Sequence, residues 1–277
     1  MRAAIAIVLV VATSARAETL QLDAPSAVVI DSDSGAVLLD RDADAVRPIA
    51  SLTKIFVALV LRAHRLDLDD WTRITAEDVH AAEGGAGSAL RRGERFRNLD
   101  LLHAMLLVSD NRVPSALARS VGLSPDELLA AMNETAERLG LDHTHFDDIT
   151  GIAGNQSTAR ELAIAMREVL RDPVLARIMR TRRAQVTSRS EAVTIEYRST
   201  VGPLWTGRYR IRGGKTGTTE GAGHCMLIGA TLGGRLVTVA LLGGTSVRAR
   251  NGDFAKLARW LGGRDVAREA HASVAPR

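Results

Sequence analysis

Strand-like segments lie near both ends of this 277-residue chain, and helical patterns fill the region between them. Near the amino end, two apolar runs at residues 26–31 and 36–40 flank a turn-rich connection. Near the carboxyl end, three more runs alternate with glycine-rich connectors, at residues 209–215, 224–231 and 236–242. The simplest arrangement is one five-stranded antiparallel sheet built from both chain ends, with a helical lobe inserted, in an α/β (α+β) fold.

Helix signals come from capping residues as well as from apolar patterns. Asn98 is predicted to cap one helix, and Ser124 and Thr158 each stand three residues before a glutamate, as in a capping box. Asp172-Pro173 is predicted to stop a helix because proline does not continue one. The predicted helices are residues 51–65, 99–108, 124–140, 158–172 and a closing helix at 255–261. We find no internal repeat and no linker, so we expect one unit with two lobes.

The composition is that of an ordinary globular protein, with 46% hydrophobic and 25% charged residues, which excludes disordered and collagen-like classes. The formal net charge of +4 falls to +2 when Arg2 and Arg16 are left out. A nearly balanced chain gives no reason to expect nucleic acid as a partner. The single cysteine, Cys225, excludes an internal disulfide and a cysteine-based zinc site.

The first segment has the form of a secretory signal. Arg2 is followed by an apolar run over residues 3–13 and then by Ala15-Arg16-Ala17, a small-residue cleavage pattern. The run is shorter than the roughly 20 apolar residues that a bilayer-spanning helix needs. We expect a cleaved signal peptide at residues 1–17, one folded domain at 18–262, a tail at 263–277 and no stable membrane anchor. The alternative is an uncleaved anchor or a buried amino-terminal strand.

Lysine is rare in this chain, which contains only Lys54, Lys215 and Lys256. Lys54 follows Ser51 by three residues, so the two side chains share a face of the predicted helix. Seven apolar residues, 55–61, come next, and a helix that is apolar all round is buried. Burial lowers the pKa of a lysine, and a neutral amine beside a hydroxyl is the base that a serine nucleophile requires. The alternative is that Ser51 only caps the helix while Lys54 extends to the surface.

Two further polar segments have the composition of a binding cleft. Ser109-Asp110-Asn111 interrupts an apolar helical pattern, and a short polar connection of this kind presents its side chains. Gly213-Gly-Lys-Thr-Gly-Thr218 ends a predicted strand, and its glycines let a peptide backbone approach the strand edge. A phosphate-binding loop is excluded because that pattern requires glycine at position 209, which is tyrosine.

Together, Ser51-Leu-Thr-Lys54, Ser109-Asp-Asn111 and Lys215-Thr-Gly217 resemble the three motifs of the penicillin-binding, active-site-serine family, in that family's order. Ser157-Thr-Ala159 is similar to the low-molecular-weight D-alanyl-D-alanine peptidases, and residues 215–225 most resemble their endopeptidase branch. The resemblance covers about residues 22–262. It implies a β-lactamase/transpeptidase-like fold and a penicillin-binding D,D-peptidase domain.

The resemblance implies a periplasmic serine D,D-peptidase that cleaves D-alanyl peptide bonds of peptidoglycan through an acyl-serine intermediate, with endopeptidase action on crosslinks favoured. Ser51 is the implied nucleophile, Lys54 its base, and Ser109 a proton relay to the leaving amine. The backbone N–H groups of Ser51 and Thr218 are the implied oxyanion hole. The partners are peptidoglycan stem peptides and, as acylating inhibitors, β-lactam antibiotics; no metal or cofactor is implied. The implied substrate-binding residues are Asn111, Lys215, Thr216, Gly217 and Thr218.

Three other functions stay open on the sequence alone. A D-alanyl-D-alanine carboxypeptidase acting on uncrosslinked pentapeptide shares the motifs, but such relatives carry a second β-rich domain and an amphipathic anchor, and residues 263–277 have neither pattern. A serine β-lactamase of the best-known class adds a deacylating glutamate with a nearby asparagine, and the candidate Glu161 lacks that asparagine. A non-catalytic penicillin- or wall-binding protein has no need for a nucleophile with its base.

Two other clusters are interpreted as structural. Residues 142–148 are rich in aspartate and histidine, but they lack a distant fourth ligand and match a structural loop of the family. Cys225 is adjacent to His224 on a predicted strand, so the two side chains point to opposite faces. We therefore expect no metal at the first cluster and a buried, inert thiol at Cys225.

Overall fold

The computed structural model describes the backbone of residues 20–272 and the side chains of residues 20–262. The predicted signal peptide at residues 1–17 lies outside the described residues. The strands are β1 (Ser26–Asp31), β2 (Val37–Arg41), β3 (Arg47–Pro48), β4 (Trp71–Arg73), β5 (Arg95–Arg97), β6 (Gln156–Ser157), β7 (Arg183–Thr187), β8 (Thr194–Arg198), β9 (Arg210–Thr219), β10 (Gly223–Leu232) and β11 (Arg235–Gly244). The helices are α1 (Lys54–Ala63), α2 (Ala76–His80), α3 (Asn98–Val108), α4 (Val113–Ser120), α5 (Pro125–Arg138), α6 (Ala159–Arg171), α7 (Pro173–Met179), α8 (Gly202–Trp205) and α9 (Val247–Ala272).

The main sheet confirms the predicted union of the two chain ends. Its strand order is β2-β1-β11-β10-β9, and all its neighbouring strands are antiparallel. β1 pairs with β11 along its whole length, from Ser26 opposite Leu242 to Asp31 opposite Val237. This order leaves β9 at an edge of the sheet, where its outer side is free to face a cleft.

The two faces of the sheet carry separate apolar cores. Val28 and Val29 are neighbours on β1, and because side chains alternate along a strand they enter different cores. The core on one side contains α1 and the inserted helices, with the rings of Phe56 and Phe146 4.7 Å apart. The core on the other side is covered by α9 through Phe254. The sheet is thus the middle layer, with one apolar core packed on each of its faces.

Capping residues set two helix starts and one helix end as expected. Ser124 Oγ accepts the backbone N–H of Glu127, whose carboxylate accepts the N–H of Ser124 in return, at the start of α5. Thr158 caps α6 through the N–H of Glu161. Asp172 ends α6 and caps α7. These confirmed caps fix the ends of the helical lobe.

Two predicted helix starts were wrong. The helix predicted at residues 51–65 begins with a 3₁₀ turn, Ala50–Thr53, and only then continues as α1. Asn98 does not cap α3 but is its first residue, and its buried amide accepts from Thr72 Oγ1 and donates to the carbonyl of Asp67. The Asn98 side chain therefore bonds Thr72 and Asp67, which are distant in sequence, and makes no local capping bond.

The short strand pairs β3–β6, β4–β5 and β7–β8 have no counterpart in the sequence analysis. Their strands are two to five residues long and carry many exposed polar side chains, so they lack an apolar alternation. The closing helix is also longer than the predicted 255–261. Within the described part of the chain, none of the helices combines the length and the hydropathy that crossing a bilayer requires.

Candidate active site

Ser51 and Lys54 stand at the turn that begins the buried helix α1. Ser51 lies in the 3₁₀ turn and Lys54 is the first residue of the helix proper. Their spacing brings Lys54 Nζ to 3.1 Å from Ser51 Oγ. Ser51 is half-buried, whereas the side chain of Lys54 is fully buried. Burial lowers the pKa of Lys54 to about 7, although the carboxylates of Asp148 and Asp110 act in the opposite direction.

The other hydrogen bonds of Lys54 determine what it presents to Ser51. Nζ donates to Asn111 Oδ1 and to the carbonyl oxygen of Thr150, each at 2.6 Å. A neutral amine has two N–H groups and one lone pair, so these two acceptors leave the lone pair directed at Ser51. The ammonium form of Lys54 donates to Ser51 Oγ, and in the neutral form the direction reverses, so that the hydroxyl donates to Nζ as a nucleophile does to its general base.

A polar loop at residues 147–155 supplies the carbonyl of Thr150, although Thr150 is 96 residues from Lys54 in the sequence. Asp148 organises this loop, because its carboxylate accepts several of the loop's own N–H groups and the hydroxyl of Thr150. The backbone donors to Asp148 are Thr150, Gly151 and Ala153. Hydrogen bonds within the loop therefore hold its shape, in addition to its contacts with the helix.

Asn155 and Gly151 attach the loop to the turn that carries the nucleophile. The amide of Asn155 donates to Thr53 Oγ1 at 2.9 Å and to the carbonyl of Asp148 at 2.9 Å. Gly151 lies so close to Ala50 that a Cβ atom there would overlap the Ala50 carbonyl group. Sequence reasoning missed these residues, although an aspartate, a glycine and an asparagine at close spacing are typical of a tightly closed loop.

Ser109 lies across the cleft from Ser51, at the carboxyl end of α3. Its backbone has a left-handed conformation with φ of +65°, which turns the side chain out of the helix. Lys215 Nζ donates to Ser109 Oγ and, at 2.7 Å, to the carbonyl of Thr216. Lys215 is fully buried, and burial lowers its pKa well below the ordinary lysine value, with the nearby cations of Lys54 and Arg250 acting in the same direction.

Asp110 and Asn111 hold this side of the cleft in shape. The Asp110 carboxylate accepts from Ser88 Oγ at 2.6 Å and from the backbone N–H of Arg112 at 3.0 Å. Burial raises the pKa of Asp110. Gly85 lies against the amide of Asn111, where any Cβ atom would overlap it. A loop with glycine at this position can therefore pass directly over the side chain.

β9 forms the opposite wall of the cleft and lies against the nucleophile's turn. A Cβ atom at Gly217 would stand 2.8 Å from the carbonyl oxygen of Ile49 and 3.0 Å from the backbone nitrogen of Ser51. Only glycine allows this approach without displacing the turn. The approach brings the backbone of Thr218, the next residue on β9, beside Ser51.

The structure brings all eight predicted site residues together around one cleft of about 650 Å³. Lys54 and Lys215 lie beneath the walls and reach the cleft through Ser51 and Ser109. Sequence patterns did not identify Gly84, Ile152 and Thr200, which also line the cleft. The catalytic and binding roles of the eight residues stay predictions. Those that line the cleft directly are Ser51, Ser109, Asn111, Thr216, Gly217 and Thr218.

A buried guanidinium that the sequence did not point to lies close to Lys215. Arg250 on α9 is 3% exposed, and its Nε has no hydrogen-bond partner. Burial lowers its pKa, and its Nη1 donates to the carbonyl of Cys225 at 3.2 Å. Among the described residues, neither Arg250 nor Lys215 forms an ion pair with a carboxylate. Two buried basic groups without a counter-charge, one of them in contact with the cleft residue Ser109, favour an anionic group nearby.

The remaining predicted clusters lie outside the cleft. Glu161 accepts from Thr144 Oγ1 at 2.6 Å and lies 2.9 Å from Nδ1 of His143, so it is engaged within the helical lobe. Within residues 20–262, no group of three or more His, Cys, Asp and Glu side chains is placed to hold a metal ion. Cys225 is buried, as predicted, and burial raises the pKa of its thiol.

A sheet with an inserted helical lobe, carrying a serine whose hydroxyl faces a buried amine, defines an active-site-serine enzyme that works by acyl transfer. Comparison with known proteins then gives the family. The peptidase S11 profile, described as D-alanyl-D-alanine carboxypeptidase, matches residues 11–246. The chain belongs to the peptidase S11 family and is a serine peptidase.

Individual relatives agree with this assignment. The chain is 31% identical over 242 residues to a D-alanyl-D-alanine endopeptidase of Pseudomonas aeruginosa, an alignment that covers 87% of this chain and 78% of the relative. It is 27% identical to a D-alanyl-D-alanine endopeptidase of Escherichia coli, covering 90% and 81%. The crystal structure of the Streptomyces K15 DD-transpeptidase superposes with a TM-score of 0.81 at 26% identity, covering 88% of this chain and 98% of that one. These likenesses confirm the predicted β-lactamase/transpeptidase-like fold.

Gly151→Ala is expected to destabilise the protein and to slow acylation of Ser51. The added Cβ would overlap the Ala50 carbonyl, and the left-handed φ of +84° by itself costs alanine about 1–2 kcal/mol. The loop would have to move away from the turn and carry the Thr150 carbonyl away from Lys54. Urea unfolding measures the loss of stability, and the rate of penicillin labelling measures the loss of acylation.

Gly140→Ala is the matched control, because Gly140 also has a left-handed φ, of +69°, but no atom lies within 4 Å of a Cβ placed there. This variant should lose stability through the backbone conformation alone and should label at the wild-type rate. Equal labelling rates for the two variants would show that contact between loop and turn does not position Lys54.

Proposed function

We propose that this chain is a periplasmic D,D-peptidase of the cell wall that cleaves D-alanyl peptide bonds in peptidoglycan, with crosslinked stem peptides as its preferred substrate. The observation that carries the proposal is the fully buried amine of Lys54, whose Nζ lies 3.1 Å from Ser51 Oγ. The export signal predicted at residues 1–17 supports the location, because peptidoglycan lies outside the cytoplasm.

The reaction is acyl transfer in two steps. Ser51 Oγ attacks the carbonyl carbon of the D-alanyl bond while Lys54 Nζ takes the hydroxyl proton, and the oxyanion forms beside the backbone N–H groups of Ser51 and Thr218. The C–N bond then breaks, and the leaving amine receives a proton through Ser109. Water attacks the ester in the second step, so the acid product leaves and the Ser51 hydroxyl is restored.

Charge supports a substrate with an anionic leaving group. Lys215 contacts the cleft residue Ser109, and Arg250 is buried near Lys215. Neither has a carboxylate partner among the described residues, and burial lowers the pKa of both. A carboxylate on the leaving amino acid would supply the missing counter-charge and raise the pKa of both groups. β-Lactams carry a carboxylate in the corresponding place, which supports their proposed role as acylating inhibitors of Ser51.

Endopeptidase action is supported by how the chain matches its relatives. The endopeptidases of Pseudomonas aeruginosa and Escherichia coli are covered over 78% and 81% of their length. The carboxypeptidases DacC and DacA of Escherichia coli are covered over 62% and 61%. The carboxypeptidase DacB2 of Mycobacterium tuberculosis is covered over 74%, so the support is the match to the two endopeptidases together with the endopeptidase-like pattern at residues 215–225.

The test is mass analysis of muropeptides after incubation of isolated cell walls with the protein. The proposed activity converts crosslinked dimers into monomers and leaves free pentapeptides largely unchanged, because the preferred bond joins two stem peptides. Ser51→Ala is the control and should leave every species unchanged. Samples with and without penicillin distinguish this enzyme from a contaminating peptidase that penicillin does not acylate.

Other outcomes would replace the proposal. Shortening of pentapeptides to tetrapeptides, with dimers intact, identifies a carboxypeptidase. Hydrolysis of penicillin with unchanged walls identifies a β-lactamase. Tight wall binding without any change in mass identifies a non-catalytic wall-binding protein.

A further inference from the structure

A second groove of about 580 Å³ opens from the active-site cleft at the end of β9, and we call it the side groove. The two cavities share Pro48 and residues 218–221, so a chain that lies in the cleft can continue into the groove without leaving the surface. Beyond the shared rim, the side groove is lined by Arg47, His224 and Thr245. Nothing in the proposed chemistry of Ser51 uses this space.

The direction of the substrate follows from the two ends of the cleft. In the proposed reaction, the leaving group lies toward Ser109 and Lys215, which receive its amine and carboxylate, and the scissile carbonyl lies beside Thr218. The acyl-donor half of the substrate must then run in the opposite direction, past Thr218 and toward residues 219–221. The side chain of the residue that precedes the scissile D-alanine is therefore the first group to reach the side groove.

Arg47 is the group in the groove that lacks a partner. Its Nε is buried without a hydrogen-bond acceptor, and within the described part of the chain its guanidinium forms no ion pair. Its Nη1 lies beside β11, 3.7 Å from where a Cβ atom of Gly243 would stand. Because Nε is buried, a carboxylate in the groove would be bound through the two terminal nitrogens, since a guanidinium pairs with a carboxylate by two parallel hydrogen bonds.

Nearby acidic groups do not neutralise Arg47. Asp23 is engaged by Thr245, whose backbone N–H and hydroxyl it accepts at 2.7 and 2.8 Å. Glu220 lies on the rim shared by the two cavities and forms no ion pair with Arg47. His224 lies with Nδ1 3.1 Å from Thr218 Oγ1. It therefore lines the groove through a contact with Thr218 and not with the Arg47 guanidinium.

We propose that Arg47 binds a carboxylate on the side chain of the diamino acid that precedes the scissile D-alanine. The enzyme then discriminates between walls by this contact, favouring a diaminopimelate-type residue over lysine, which has no such carboxylate. This inference rests on the proposed function for the direction of the substrate. It adds a site for the donor half that the three sequence motifs do not contain.

The test measures binding separately from cleavage. Two acyl-D-alanyl-D-alanine peptides are compared that differ only in whether the side-chain carboxylate of the diaminopimelyl residue is free or amidated. Their dissociation constants are measured with Ser51→Ala, which cannot cleave them, and with Ser51→Ala combined with Arg47→Gln. The free acid should bind Ser51→Ala about 10- to 100-fold more tightly than the amide, and Arg47→Gln should remove most of that difference.

Controls separate a local effect from misfolding. Arg47→Gln with Ser51 intact should still be labelled by penicillin at the wild-type rate, since a β-lactam occupies the cleft next to Ser51 and does not need the side groove. Arg47→Lys should restore part of the preference. Arg208→Gln removes an exposed arginine that lines neither cavity and should leave both affinities unchanged.

Equal affinity of the acid and the amide for Ser51→Ala would overturn the inference even if the wild type cleaves both peptides. A preference for the acid that survives in Arg47→Gln would overturn it as well. Failure of the wild type to cleave either peptide would count against the proposed function instead, and the affinities would still decide the role of Arg47.

Discussion

Ser51→Ala is expected to abolish covalent labelling by a fluorescent penicillin while leaving the fold intact. The hydroxyl is the atom predicted to form the ester, and its Oγ lies 3.1 Å from Lys54 Nζ, the predicted base. Ser109 Oγ accepts from Lys215 Nζ instead, and Ser109 is predicted to relay a proton to the leaving amine. Ser51 is half-buried and its side chain contacts Lys54 by a single hydrogen bond, so its removal costs little stability, about 1 kcal/mol.

The measurement is the fluorescence of the protein band after gel electrophoresis, followed over hours to determine how long the label persists. The wild type should keep its label, because Glu161 is engaged with His143 and Thr144 and does not line the cleft as a second base. Ser120→Ala is the control, since that hydroxyl bonds only the carbonyl of Leu117 on α4. A labelled Ser51→Ala protein would place the nucleophile elsewhere.

The sequence allowed the frame of this site to be predicted because its signals are local. Ser51 and Lys54 are three residues apart, and the apolar run that follows them makes burial of the amine predictable. The strands at the two chain ends are apolar runs bounded by glycine-rich turns, so the central sheet was predictable as well. Lysine is rare in this chain, and two of its three lysines, Lys54 and Lys215, contact the cleft residues Ser51 and Ser109.

What the sequence did not reveal depends on contacts between distant segments. The carbonyl of Thr150 is a backbone group, so no residue type marks it as an acceptor for Lys54. Asn111 is expected to hold substrate, and its Oδ1 also accepts from Lys54 Nζ at 2.6 Å, a contact that the sequence does not indicate. Arg250 and Arg47 are two arginines in a chain rich in arginine, and only the structure shows that each has a buried Nε without a hydrogen-bond partner, a property that Arg112 shares.

Lys54→Arg is expected to reduce the rate of acylation by penicillin about 10³-fold, the usual contribution of a general base. Arginine keeps the positive charge but does not lose its proton in a protein, so no lone pair is available for the Ser51 hydroxyl. The larger guanidinium must also fit into the buried position of the Lys54 amine, between Asn111 Oδ1 and the carbonyl of Thr150. Stopped-flow or quenched labelling at several penicillin concentrations gives the second-order rate constant.

Lys256→Arg is the matched control for this change. Lys256 is the third lysine of the chain, and its Nζ contacts the carbonyl of Gln21 and the carboxylate of Asp253, far from the cleft lining. The same substitution there should leave the rate constant within about twofold, because surface changes away from such features usually have small effects. A normal rate in Lys54→Arg would show that Lys54 is not the base.

The pH dependence of acylation tests the same amine without any mutation. Because burial lowers the pKa of Lys54 to about 7, the neutral fraction rises as the pH rises through that value. The rate constant of the wild type should therefore fall about tenfold for each pH unit below 7 and level off above it. A group with the ordinary lysine pKa of 10.5 would instead keep the rate rising up to strongly alkaline pH.

The midpoint of the pH profile is the pH at which the acylation rate is half its plateau value. It depends on the charges around Lys54, so a substitution there tests which group titrates. The Asp148 carboxylate raises the pKa of Lys54 against the effect of burial, so Asp148→Asn should move the midpoint to lower pH, provided that the loop keeps its shape. An unchanged midpoint, with retained labelling at pH 8, would mean that the titrating group is not Lys54. A midpoint that moves down as predicted would assign the base by its electrostatic neighbour, independently of the loss of activity in Lys54→Arg.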